Sequence, residues 1–111
     1  MSVINRTSTA FVSDAQVASN PCSLYGFSVY NSSASAQFIQ LHDTISEPVD
    51  GTAPTMFYSV PPNSGREFYF GEKGRPFYQG LYICASSTHS TKTLGTANFW
   101  LDVQFMILSI K

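Results

Sequence analysis

Charge is what this sequence has least of. Six Lys or Arg and seven Asp or Glu make only 12% of its 111 residues charged, about half the usual ~25%. With a formal net charge of −1, no broad attraction to nucleic acid or to an acidic membrane surface is expected. So few charges also give a free monomer little protection against association, and the expectation is that other subunits cover part of the surface. Long apolar runs are missing too. FMIL, residues 105–108, is far too short to span a bilayer, and the opening MSVINRTSTAF has no apolar core of signal-peptide length. No window carries a sustained helical period with a cap at each end. Cysteine is limited to Cys22 and Cys84. The pair can bridge two strands, or be two small buried hydrophobes.

Aromatic residues are plentiful, with nine Phe, six Tyr and one Trp. That balance is the reverse of a disordered chain, and the length suits one domain. Alternation with period two recurs along the chain. Residues 24–30 place Tyr25, Phe27 and Val29 on one face. Residues 37–41 place Ile39 and Leu41 opposite Phe38 and Gln40. Met56, Tyr58 and Val60 share a face up to Pro61-Pro62, Phe68 and Phe70 oppose Tyr69, and Leu81, Ile83 and Ala85 oppose Tyr82 and Cys84. The longest candidate strand covers residues 98–110, with Phe99, Leu101, Val103 and Phe105 inward. Clusters of Gly, Pro, Asn, Asp and Ser at residues 47–51, 61–65, 71–76 and 86–93 separate these segments as turns. Short strands at this spacing predict an all-β fold, an antiparallel β-sandwich of jelly-roll type with about eight strands. Residues 1–20 read as an N-terminal arm or a first strand, and residues 21–111 as a single β-sandwich domain.

Several strands keep an aromatic residue on their second face: Tyr25 and Tyr30 straddle the two faces of one strand, and Tyr69, Tyr82 and Trp100 sit opposite apolar neighbours. Tyr25, Tyr30, Tyr69, Tyr82 and Trp100 are therefore candidate interface residues, since Tyr and Trp suit surfaces where one end is buried and the other hydrogen-bonded. Cross-strand aromatic pairing on an ordinary sheet is the competing reading.

Catalytic chemistry finds little support. His42-Asp43 and His89 can be imagined with a serine as a triad, but no Gly-x-Ser-x-Gly elbow is present. His42, Asp43, His89 and Cys84 have no metal-ligand spacing. The expectation for His42 and Asp43 is a strand end that hydrogen-bonds a turn. Gly71-Glu72-Lys73-Gly74-Arg75 lacks phosphate-loop spacing, and nothing marks out two carboxylates as a glycosidase pair. No catalytic residue, metal or cofactor is expected.

The segments LYGFSVYNS (24–32), ASAQFIQLHD (34–43), GRPF (74–77), GLYICASST (80–88), KTLG (92–95) and WLDVQF (100–105) together resemble a group of small virion structural proteins of tailed bacteriophages. The resemblance spans most of the chain from Leu24 onward and leaves the first twenty or so residues outside it. It implies a non-enzymatic part of a virus particle: a capsid decoration or cement subunit, or a small tail or neck subunit. Such a protein would be made in the host cytoplasm without a signal peptide. It would act as a homo-oligomer and contact major capsid or tail proteins. The alternative is a carbohydrate- or receptor-binding tail module whose Tyr and Trp stack on a host glycan.

Overall fold

A computed structural model of the chain describes residues 3–108. Among the described residues there is no helix, and nine strands form two antiparallel sheets. They are β1 (Ile4–Thr7), β2 (Asp14–Ala18), β3 (Cys22–Asn31), β4 (Gln37–His42), β5 (Met56–Val60), β6 (Ser64–Tyr69), β7 (Arg75–Phe77), β8 (Leu81–Ser86) and β9 (Phe99–Ile107). One sheet runs β1-β9-β3-β6, with β7 also paired to β3; the other runs β2-β8-β4-β5. β6 pairs with β3 from Gly26 to Asn31 and β7 pairs with it from Cys22 to Leu24. The two thus act as one strand interrupted by a loop, which leaves eight strand positions. That strand order is the jelly roll expected from the alternation.

The core is the space between the sheets. Leu24, Phe27 and Val29 of β3 and Phe99, Leu101, Val103 and Phe105 of β9 face Ile39 and Leu41 of β4 and Leu81 and Ile83 of β8. At one side the sandwich is closed by the β5–β6 corner. Pro61 and Pro62 end β5, Asn63 takes a positive φ of 50°, and the rings of Tyr58 and Phe68 stack with centroids 4.2 Å apart. Arg66 lies over Phe68 and donates to the Ser59 carbonyl at 2.9 Å, which occupies an edge acceptor that would otherwise invite another strand.

The opening of the chain, read as an arm or a first strand, belongs to the sandwich from Ile4 to Ala18: β1 pairs with β9, β2 pairs with β8, and Val17 and Ala18 enter the core. The sandwich therefore begins well before residue 21. Tyr25 departs from expectation. The β3–β9 register slips between Leu24 and Gly26, so Cys22 and Leu24 point inward before the bulge and Phe27 and Val29 after it. One extra residue switches the phase of the strand, and Tyr25 turns outward, its hydroxyl 3.8 Å from the Met106 sulfur. β9 ends at Ile107, and Ile110 lies outside the described residues. Cys22 and Cys84 are both buried free thiols.

Candidate functional site

The two sheets treat their outer faces in opposite ways. The face of β4 and β8 is roofed by two loops, residues 43–55 and 87–98. Their backbones are joined at Lys92, whose N–H donates to the Thr52 carbonyl at 2.8 Å and whose carbonyl accepts from Gly51 at 2.7 Å. The Lys92 side chain is only 2% exposed. Its Nζ donates to the Pro48 carbonyl and lies 3.5 Å from Glu47 and 3.8 Å from Asp50. Beneath this roof, Gln40 is fully buried and its Nε2 donates to the carbonyls of Thr91 at 3.1 Å and Thr88 at 3.2 Å. That orientation leaves its Oε1 3.1 Å from His42 Nε2, so the hydrogen-bond network assigns the proton to Nε2 of a neutral His42. Burial, and then the Lys92 charge, lowers the His42 pKa to about 4. Cys84 lies on this face opposite Gln40, and burial pushes its thiol up to about 12; burial, then Asp43, pushes Cys22 up to about 11.

Asp43 does what a strand-end carboxylate was expected to do. It accepts from the backbone N–H groups of Tyr78 at 2.9 Å, Gln79 at 2.8 Å and Gly80 at 3.4 Å, and so pins the turn that enters β8. The turn from β3 to β4 is held by Asn31, whose buried amide donates to the carbonyls of Ser35 at 3.0 Å and Val60 at 3.2 Å. His89 is exposed, with its ring packed edge-on against Phe57 and Phe38. His42, Asp43 and His89 are thus each committed to different partners and do not form a triad. Among the described residues no group of His, Cys, Asp and Glu is placed to hold a metal ion, and no helix is long and apolar enough to cross a membrane.

The outer face of β9, β3 and β6 has no such roof. Four of the five candidate interface residues lie on it. Tyr30 and Trp100 are register partners on β3 and β9, 43% and 37% exposed, and Phe11, 45% exposed, packs edge-on against Trp100 with centroids 5.1 Å apart. Tyr25 and Tyr69 lie toward the other end of the same face. Tyr82 is placed elsewhere: it is half-buried on the opposite sheet, paired with Gln16 and His42. Its phenol pKa is raised by burial and by Asp14 and Glu47. Sequence reasoning missed Phe11, which stands outside any alternating run, and the buried Lys92, whose Ser/Thr-rich surroundings read as a solvated turn.

No protein-family model matches the chain, and no curated protein matches it. Among solved structures the chain is similar to the Tobacco streak virus coat protein, at 12% identity, covering 92% of this chain and 84% of that one, with a TM-score of 0.45.

Proposed function

We propose that this chain is a non-enzymatic structural protein of a tailed-bacteriophage virion. It serves as a capsid decoration subunit or a small tail or neck subunit, and works through contact with copies of itself and with the major capsid or tail protein. The carrying observation is the exposed cluster of Phe11, Trp100 and Tyr30 at one end of an unroofed sheet, on a chain with few charges to oppose association. The sequence resemblance supports the particle as the place of action, and a jelly roll suits that role without requiring it.

Area decides how such a contact works. Rings of this kind carry 150–250 Å² each, so three that are near 40% exposed offer roughly 250 Å² together. A stable interface takes about 800 Å² from each partner. The cluster is therefore the hot centre of a contact whose remainder comes from surrounding polar surface, or from many neighbours on a lattice. The test is light scattering over a concentration series, together with mass spectrometry of purified particles. The expected results are a mass that rises with concentration, falls back with Trp100→Ser, and a chain present in the particle. A strict monomer at high concentration that is also absent from particles would defeat the proposal.

A further inference from the structure

The unroofed sheet carries a second feature, apart from the Phe11–Trp100–Tyr30 cluster. Two rows cross its strands β9, β3 and β6. In one, Gly26 of β3 stands between Tyr69 of β6 and Gln104 of β9; in the next, Ser28 stands between Glu67 and Asp102. The rows are about 7 Å apart along the strands, and each spans about 10 Å between its outer Cα atoms. Gly26 and Ser28 are small, so the middle strand forms the floor of a depression of about 440 Å³. The floor cannot easily be raised, because a Cβ on Gly26 would meet the Phe68 carbonyl oxygen at 2.6 Å. The walls are Tyr25 and Tyr69, the two carboxylates and one amide.

We propose that this trough binds a neutral, hydroxyl-rich oligosaccharide. Sugar hydroxyls donate to carboxylates and exchange hydrogen bonds with an amide and a serine, while the C–H face of the ring lies against an aromatic side chain. Tyr69 is 74% exposed and free to serve as that platform. Two of the polar groups are already held in place: Asp102 accepts from Thr7 Oγ1 at 2.9 Å, and Gln104 donates to Asn5 Oδ1 at 2.6 Å. Groups fixed before binding lose less entropy when they engage a ligand. Charge narrows the class. Glu67 and Asp102 face the trough and, among the described residues, form no ion pair with a Lys or Arg; Arg66 is turned onto Phe68 and the Ser59 carbonyl. Sialylated, sulfated or phosphorylated glycans are therefore disfavoured. So is a second copy of this chain seated on the trough about a two-fold axis, which would bring four carboxylates together. The site goes beyond the structural role proposed above and stands if that role fails.

The test uses the full chain against a panel of neutral hexasaccharides (malto-, cello-, manno- and chitohexaose), with sialyllactose, a heparin hexasaccharide and a pentalysine peptide alongside. Binding is followed by calorimetry and by tyrosine fluorescence. At least one neutral sugar is expected to bind, with Tyr69→Ala weakening it about threefold to tenfold and Glu67→Gln weakening it while the fold is retained. Trp100→Ser should lower self-association and leave sugar binding unchanged, which separates this site from the oligomer contact. Absence of binding to every neutral sugar at millimolar concentration overturns the proposal. Preference for the anionic sugars or for pentalysine also overturns it, as does binding that is indifferent to Tyr69→Ala.

Discussion

The two outer faces of this sandwich are built from strands of similar composition and end in opposite states. On the β4–β8 face, loops cover Gln40, His42, Cys84 and Lys92 until each is nearly or wholly removed from water. On the β3–β9 face, Tyr30, Trp100 and Tyr69 stay in contact with solvent. The difference lies in how polar groups are satisfied. A buried amide, imidazole or ammonium must find protein partners, and the roof supplies them as loop carbonyls and two carboxylates. A bare face keeps its polar groups for whatever arrives from outside. The roofed face is therefore closed by the protein's own loops, and the bare face is left open to solvent.

The strongest way to break the comparison is to remove the core that both faces share. Val103 is 1% exposed in β9, and Val103→Asp places a carboxylate there with no partner. The expected cost is about 4 kcal/mol or more, enough to unfold a domain of this size. Loss of the far-ultraviolet strand signal would check it. A folded Val103→Asp protein with an unchanged denaturation midpoint would contradict the core as described.

The next change loosens only the roof. Lys92→Ala removes the ammonium from the Pro48 carbonyl, Glu47 and Asp50 and takes away the packing of its stem. Glu47 and Asp50 are themselves half or more exposed, so the carboxylates left behind return to water. The expected loss is about 2–3 kcal/mol, at the low end for a broken buried pair. Chemical denaturation measures it. A thiol reagent supplies a local readout, since Cys84 should react faster in Lys92→Ala while Cys22, in the core of the other sheet, should not.

How much of this was legible in the sequence follows the same division. Alternation marked β3, β4, β5, β8 and β9 and the inward set of β9, because an inner face has one rule along its whole length. It misplaced Tyr25, since a bulge adds a residue that no periodicity announces. It did not resolve β1, because INRT carries only Ile4 toward the core, or β7, a three-residue continuation of β6. Outer faces obey no such rule. Gln40, His42 and Cys84 occupy outward positions on their strands, and only the loops folded over them make those positions interior. Tyr30, Tyr69 and Trp100 occupy outward positions on the other sheet and stay outside. A strand pattern says which way a side chain points and cannot say what covers it.

The roof should also give the protein a pH dependence that the bare face lacks. His42 is held neutral with a pKa of about 4 against an ordinary 6.5, so between these values the unfolded chain binds more protons than the folded one. Stability is then full above about pH 6.5 and declines as pH falls toward 4, by at most about 3 kcal/mol. Asp14 acts in the opposite sense, because burial, and then Glu47, raises its carboxyl, so the His42 slope is read as the difference between the native sequence and His42→Gln. Denaturant melts across this range should show it in the native sequence and show it flattened in His42→Gln. An equal slope in both proteins would place the titration elsewhere.

The smallest effect on stability is expected where the effect on association is largest. Trp100 and Tyr30 are already 37% and 43% exposed, and replacing either by Ser removes part of one aromatic contact and little buried area. The loss of fold stability should stay under about 1 kcal/mol. If Trp100 is at the centre of a contact between copies, the same substitution should weaken that contact by about 2 kcal/mol or more, as truncated aromatic hot spots do. Denaturation and light scattering on Trp100→Ser would then move very differently, the first hardly at all and the second strongly. A roofed residue cannot behave this way: Lys92→Ala should shift stability first and association only through it. If Trp100→Ser instead lowered stability as much as Lys92→Ala and left the mass distribution alone, the bare face would be no more than the outside of a sheet, and the contrast between the two faces would lose its functional meaning.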